Sequence, residues 1–311
     1  MTNDYGLLKV HEAELVMLKE LDAFCRDNGI EYVLDSGTLL GAIREHGFIP
    51  WDDDVDIVMT GENFERFQKC LEEKRAAEKS SADNESVGSV TAGKSPAGNE
   101  SAGSGTAGKT PAGMQLIGPH EYAAENKFYD FAYKLTNTQT GRREDGADGK
   151  IYDEKLNHLW IDVFAYENIP DGKLAAAFTV LRHRPLYLLA LGHRDVSHIK
   201  TSALMKVLTA PFRLAGSLIP MEKLCVHKER LSKKDRGKQT KKYFVPSYQP
   251  DWLQVWYDKE WYKEIIRVPF EDTLLPVPVG YDAMLTAMYG DYMKRPEEKD
   301  RAASHQTEVE K

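Results

Sequence analysis

Four aspartates crowd together in the stretch SGTLLGAIREHGFIPWDDDVDIVM, which covers residues 36 to 59. Asp54 and Asp56 alternate with Val55 and Ile57, and this spacing is typical of a strand that points two carboxylates to one face and two aliphatic side chains into a core. Neighbouring carboxylates in a partly buried place repel each other, and a cation relieves that cost. Hard oxygen ligands favour Mg²⁺ or Mn²⁺. The spacing therefore predicts a divalent metal site at Asp54 and Asp56.

The alternative is a solvated turn after Pro50, which accounts for Asp52 and Asp53 but not for Asp56 inside an apolar run. A third carboxylate, Asp162, lies within the strand-like run LWIDVFAY from residue 159 to 166. Such a residue either faces solvent on an edge strand or completes a polar site. In the second case it binds metal or accepts a proton from a hydroxyl group.

Upstream of the aspartates, Ser36, Gly37 and Thr38 stand between a short predicted strand and an amphipathic segment, residues 39–45. Glycine permits a tight turn, and backbone amides at the start of a helix bind phosphate oxygens. A Ser-Gly-Thr turn is weak evidence by itself. Followed by an Asp-x-Asp strand, it predicts phosphates on the turn, metal on the aspartates and a reaction between them.

The segment from residue 76 to 113 consists mostly of Ala, Gly, Ser, Lys and Glu and contains a tandem repeat, NESVGSVTAGKSPAG followed by NESAGSGTAGKTPAG. It has almost nothing to bury, so we expect a disordered insert in a surface loop. Both repeats match the phosphate-loop pattern G-x-x-x-x-G-K-[ST]. Neither has a strand before it or a helix after it, so we interpret the matches as coincidence.

Composition limits the remaining classes of function. The formal net charge of −8 argues against nucleic-acid binding, and three scattered cysteines suit a reducing compartment. We see no signal peptide and no apolar run long enough to span a bilayer, so we expect a cytoplasmic protein. The stretch LMKVLTAPFRLAGSLIP, residues 204–220, predicts a packed helix pair. Its alternative is an interfacial helix that brings the protein to the inner face of the membrane, near lipid-linked substrates.

The long first block resembles the LicD family, which includes the fukutin-type proteins and has the nucleotidyltransferase signature of a Gly-[Gly/Ser] turn, Asp-x-[Asp/Glu] and a later strand carboxylate. Further matches are Lys134 in FAYKLTNTQT, Asp162 in WIDVFAYENIP, and the closing FEDTLLPVPVGYDAMLTAMYGDYMKRP. The resemblance covers most of the chain except the insert and both tails. The family usually has a small residue near His46, and the insert is foreign to it.

The resemblance implies an α+β fold, with a nucleotidyltransferase-like mixed β-sheet flanked by helices and a helical C-terminal portion. We expect one transferase domain over residues 1–300, with its core at about 30–75 and 114–170, a helical portion at 173–300 and a disordered tail at 301–311.

The implied reaction moves phosphocholine or a related phospho-alcohol from CDP-choline or a similar donor to a glycan acceptor, and releases CMP. Asp54, Asp56 and Asp162 are the catalytic and metal residues, with Mg²⁺ or Mn²⁺ as cofactor. The candidate phosphate contacts are Ser36, Gly37, Thr38, Arg44 and Lys134. Arg44 and Lys134 are equally well explained as surface charges.

Two other functions remain open: transfer of a nucleoside monophosphate with release of pyrophosphate, and a non-catalytic scaffold that binds glycan. A choline ammonium group also attracts aromatic rings. The sequence offers a cluster of them whose helical spacing favours core packing instead, namely Trp252, Trp256, Tyr257, Trp261 and Tyr262.

Overall fold

A computed structural model describes residues 5–88, 113–139, 141–144, 158–196, 202–301 and 307–310. The helices in these residues are α1 (Leu8–Asp27), α2 (Ser36–Arg44), α3 (Gly61–Gly88), α4 (Pro119–Ala123), α5 (Lys173–Ala190), α6 (Ala203–Ser217), α7 (Met221–Ser232) and α8 (Tyr281–Tyr289). The strands are β1 (Val33–Leu34), β2 (Asp56–Thr60), β3 (Met114–Ile117), β4 (Tyr133–Asn137), β5 (Gly141–Glu144), β6 (Trp160–Ile169), β7 (Lys242–Phe244), β8 (Tyr257–Asp258), β9 (Ile265–Phe270), β10 (Thr273–Pro278) and β11 (Thr307–Glu310).

The main sheet has the strand order β1-β2-β6-β4-β3, and β7 and β8 extend it beside β6. Strands β2 and β6 run parallel, whereas β1, β3, β4 and β7 pair with their neighbours in the antiparallel sense. Helices and a mixed sheet thus share one chain, which confirms the predicted α+β fold. The parallel pair matters most for function because it carries the predicted aspartates.

The principal core lies between this sheet and the surrounding helices, and apolar patterning explains its position. Strand β2 contributes Ile57, Val58 and Met59, all of which are buried. Helix α1 faces the core with Val10, Met17, Leu18, Leu21 and Phe24, which recur at the three- and four-residue spacing of one helical face. Burial of these side chains fixes β2 in the middle of the molecule, and Asp56 at the start of the strand faces a cleft.

The structure differs from the expected domain boundaries in three places. Helix α3 continues to Gly88, inside the predicted insert, where Ala, Lys and Glu favour helix. The rest of the insert, including both phosphate-loop matches, lies outside the described residues. Strand β11 pairs with β5 where we expected a disordered tail. Residues 173–300 are helical only as far as Ser232, because aromatic and β-branched runs beyond it form β7 to β10 before α8.

The predicted strand pair followed by a short helix near the C-terminus is confirmed as β9, β10 and α8. Within the described residues, no helix is long and apolar enough to cross a bilayer.

Candidate active site

The parallel pairing of β2 and β6 places two of the predicted catalytic residues side by side. Asp56 and Asp162 are direct register partners, and the Asp162 backbone N–H donates to the Val55 carbonyl oxygen over 2.7 Å. Adjacent strands lie about 4.8 Å apart, and register partners point to the same face of a sheet. Two carboxylates that are 106 positions apart in sequence therefore meet in one place.

The aspartate run alternates even before β2 begins at Asp56. Asp52, Asp54 and Asp56 are half-buried and line a cleft, whereas Asp53 and Val55 are buried on the other side. The predicted pairing of Asp54 with Asp56 on one face therefore extends to Asp52. The sequence analysis accounted for Asp52 only through the alternative of a solvated turn, although the same alternation could have identified it.

The cleft has a volume of about 670 Å³. Six of the eight predicted site residues line it, and Thr38 and Arg44 do not. The six are Ser36, Gly37, Asp54, Asp56, Lys134 and Asp162. Its walls also include side chains that the sequence analysis missed, among them Asp130, Tyr187, Arg194, Tyr248, Gln249 and Tyr289. Asp130 lies just before β4 and the others come from distant elements, so none of them carries a local sequence signal.

The carboxylates give the cleft a strongly negative character. Desolvation and the charges of Asp54 and Asp162 raise the pKa of Asp56 well above its usual range. Desolvation and the neighbouring Asp54, with which it shares a hydrogen bond, raise the pKa of Asp52 in the same way. These groups resist full ionisation unless positive charge enters the cleft.

The cleft has its own cation in Lys134, on strand β4. Its Nζ donates to Asp162 Oδ1 over 2.6 Å, approaches Asp130 Oδ2 at 3.4 Å and lies 4.5 Å from the centre of the Trp160 ring. The Trp160 Nε1–H donates to the second oxygen of Asp162 over 3.0 Å. Lys134 is buried, so the alternative of a surface charge is wrong for this residue. Asp162 has both oxygens engaged.

The Ser-Gly-Thr residues form the first turn of α2. Ser36 has φ 45°, a left-handed value that is uncommon outside glycine and often marks a functional site. A Cβ at position 37 would overlap the Asp52 carboxylate, so glycine lets this acid approach the helix start. The first backbone N–H groups of a helix have no partner within the helix. At the cleft wall they suit a phosphate group.

Thr38 and Arg44 have other partners. The Thr38 hydroxyl accepts a 2.9 Å hydrogen bond from the Asp56 backbone N–H and so positions the start of β2. Arg44 donates to Glu45 Oε1 over 2.7 Å and to the Tyr292 carbonyl oxygen over 3.0 Å. Neither residue lines the cleft, and the hydrogen bonds of both hold neighbouring protein segments in place.

Position 46 illustrates a backbone constraint. His46 is exposed, has φ 61° and does not line the cleft. Glycine adopts that conformation without strain, and this gives a physical reason for a small residue there.

The predicted aromatic cluster divides between the cleft and the core. Trp252 lines the cleft and meets Tyr289 edge to face, with ring centres 6.1 Å apart. Tyr257 is fully buried, and neither it nor Trp256 lines the cleft. Core packing, the favoured interpretation, therefore holds for Tyr257, while Trp252 stays available to a bound group.

Asp35, a buried acid, immediately precedes the Ser-Gly-Thr residues at the start of α2. Burial raises the pKa of Asp35 to about 6, although hydrogen bonds from Tyr248 and the Ser36 backbone oppose the shift. The Tyr248 hydroxyl donates to Asp35 Oδ2, while Oδ1 has no hydrogen-bond partner among the described residues.

The donor set determines what metal could fit. Among the described residues, no group of three or more His, Cys, Asp or Glu side chains is arranged to hold a metal ion. Of the three predicted metal ligands, Asp162 is engaged by Lys134 and Trp160, and Asp54 and Asp56 remain on the cleft wall. Mg²⁺ is usually held by one or two carboxylates together with water and substrate phosphates. The two aspartates fit such an ion.

Comparison with known proteins gives two kinds of match. The family model described as LicD/FKTN/FKRP, nucleotidyltransferase domain, matches residues 29–96. The chain is 25% identical over 311 residues to the lipopolysaccharide cholinephosphotransferase LicD of Haemophilus influenzae, with 96% of each chain covered. It is also 44% identical to an uncharacterized protein of Rickettsia typhi over 55 residues, a stretch that covers 18% of each chain. The similarity to the Haemophilus influenzae protein therefore extends over nearly the whole chain, whereas the family model matches only a segment within its first third.

Proposed function

Because the chain belongs to the LicD family, we propose that it is a phosphotransferase that moves phosphocholine, or a related phospho-alcohol, from a CDP-activated donor to a hydroxyl group of a cell-surface glycan. CMP is the second product. The observation that carries the proposal is the cleft in which Asp54, Asp56, Lys134 and the first turn of α2 lie together. The full-length similarity to a lipopolysaccharide cholinephosphotransferase supports the choice of phosphocholine and of a glycan acceptor.

The donor is anionic, and the cleft offers two ways to bind it. The backbone N–H groups in the first turn of α2, beginning with that of Gly37, would bind phosphate oxygens. The Lys134 ammonium group contributes a fixed positive charge, held in place by Asp162 and Asp130. We propose that Asp54 and Asp56 hold Mg²⁺ or Mn²⁺, which when bound supplies positive charge opposite the leaving phosphate.

In the proposed transfer, an acceptor hydroxyl oxygen forms a bond to the phosphorus of the phosphocholine group. The bond from that phosphorus to the bridging oxygen breaks, and CMP leaves with the electron pair. Asp162 is the candidate acceptor of the hydroxyl proton, because desolvation raises its pKa even though Lys134 opposes the shift. A role for Asp162 as a metal ligand would require Lys134 to move away from it.

The test is to incubate the protein and Mg²⁺ with a glycan acceptor and a panel of CDP-alcohols, and to measure released CMP by chromatography. Replacement of Asp56 by Asn should lower CMP release by roughly 10²- to 10³-fold, the usual effect of losing one stabilising group at a charged transition state. Asp272→Asn is the matched control, because Asp272 is exposed and lies outside the cleft. Near-normal turnover by the Asp56 variant would refute the assignment.

The released product separates the proposal from its rivals. Release of pyrophosphate from a nucleoside triphosphate would favour nucleotidyl transfer. No product with any donor, together with no binding of Mg²⁺ or Mn²⁺ by calorimetry, would favour a glycan-binding scaffold.

A further inference from the structure

Helices α5 and α6 pack against each other and carry large apolar side chains that nothing in the described residues covers. Seven of them, each more than half exposed, define what we term the apolar helix-pair surface: Leu174, Phe178 and Leu181 on α5, and Leu204, Val207, Leu208 and Leu214 on α6. Single exposed apolar residues are common, whereas a contiguous group on one helix pair marks an interaction surface.

An ordinary surface helix turns its apolar side to the core, but helix α6 turns its apolar side to the outside. Its polar and small residues Thr209, Arg213 and Gly216 lie at the spacing of one helical face. They are the less exposed side: Gly216 is buried, and a Cβ there would overlap the Leu189 backbone of α5. The helix is therefore seated through its polar, glycine-containing side. Its apolar side points away from the protein.

The charge of this region indicates what covers it. Helices α5 and α6 contain no Asp or Glu, in a chain whose net charge is −8. Their basic residues are Lys173, Arg182, Arg184 and Lys206, together with Arg213 on the seated side of α6. A second copy docked through the same face would bring two positive surfaces together, at an electrostatic cost. An anionic lipid surface offers the opposite charge and also receives the apolar side chains.

We propose that the apolar helix-pair surface inserts into the headgroup region of an anionic lipid bilayer. The binding is peripheral and involves no spanning helix. Helix α5 also contributes Tyr187 to the cleft wall, so the helix pair adjoins the candidate active site. The proposal does not depend on the proposed reaction, and its test uses no substrate.

The test is flotation of the full-length protein with vesicles, one set of phosphatidylcholine alone and one with added phosphatidylglycerol. The wild-type protein should float with the anionic vesicles and much less with the neutral ones. The variant Val207→Ser/Leu208→Ser should lower the partition coefficient roughly tenfold or more, because each aliphatic side chain loses its transfer into an apolar phase.

The chain supplies a closely matched control on α1. Leu8 and Val16 are 61% and 52% exposed, compared with 56% for Leu208 and 69% for Val207. Leu8→Ser/Val16→Ser therefore removes the same two residue types at similar exposure, and it should leave flotation unchanged. All four side chains are more than half exposed, so neither variant opens the core.

Three results would overturn the proposal. The first is failure of the wild-type protein to float with anionic vesicles, and the second is equal flotation with neutral vesicles. The third is a concentration-dependent dimer, measured by light scattering, that the Val207/Leu208 variant dissociates, because a second copy would then cover the surface.

Discussion

Replacement of Asp35 by Asn should stabilise the metal-free protein at neutral pH, although it alters a fully buried side chain behind the candidate phosphate site. Burial raises the pKa of this carboxyl group from 3.8 to about 6, and its Oδ1 has no hydrogen-bond partner among the described residues. The ionised form is therefore unfavourable in the folded protein. Asparagine has nearly the same shape and cannot ionise.

The magnitude follows from linkage between protonation and folding. A shift from 3.8 to about 6 corresponds to about 3 kcal/mol of lost stability at a pH well above both values. The loss is present above pH 6 and disappears as the pH falls toward 4, because the folded protein binds the proton more tightly than the unfolded chain. The neutral amide accepts a weaker hydrogen bond from Tyr248 than the carboxylate does, so we expect a net gain of about 1–2 kcal/mol at pH 7.5.

The assay is urea unfolding in EDTA between pH 5 and 7.5, followed by tryptophan fluorescence. Over this range the wild-type protein should lose about 1.4 kcal/mol more unfolding free energy than Asp35→Asn. The control is Asp22→Asn. The buried Asp22 carboxylate accepts a 2.7 Å hydrogen bond from the Arg267 guanidinium and a 3.0 Å hydrogen bond from the Tyr32 hydroxyl, so its loss should destabilise the protein by about 2 kcal/mol.

The reasoning is refuted if Asp35→Asn is less stable than the wild type at pH 7.5, or if its stability changes with pH as steeply as that of the wild type. Either result would show that the buried carboxylate is compensated in the folded protein.

Three further predictions concern other sites. Gly37→Ala should lower kcat/KM for the CDP-alcohol by roughly a hundredfold, because the new Cβ displaces the Asp52 carboxylate from the start of α2; a change of less than twofold would contradict this. Burial lowers the pKa of Lys228 to about 7, so the folded protein should gain about 1.4 kcal/mol per pH unit between pH 7 and 9. Lys228→Met should remove that slope in urea unfolding. Gly216→Ala should lower the melting temperature measured by calorimetry by several degrees, since its Cβ meets the Leu189 backbone; an unchanged melting temperature would show that α6 can shift at little cost.

The spacing of residues in the sequence predicted much of the candidate site. The alternation of acidic and aliphatic residues around Asp54 and Asp56 predicts which side chains share a face, since the period of an extended chain is two residues. The same argument reached Asp162, and the short Ser-Gly-Thr turn before the aspartates predicted the start of a helix. These conclusions needed no knowledge of distant contacts.

Only the tertiary structure decided which charges share the cleft. Lys134 and Arg44 were equivalent in sequence, but strand pairing buries Lys134 against Asp162 while Arg44 packs behind the cleft. In the same way, the apolar residues of α6 predicted a packed helix, and the close contact at Gly216 turns them outward instead. A sequence determines which face a side chain shares with its neighbours. What that face meets depends on elements far away in the chain, whose positions are set by the packing of the whole core.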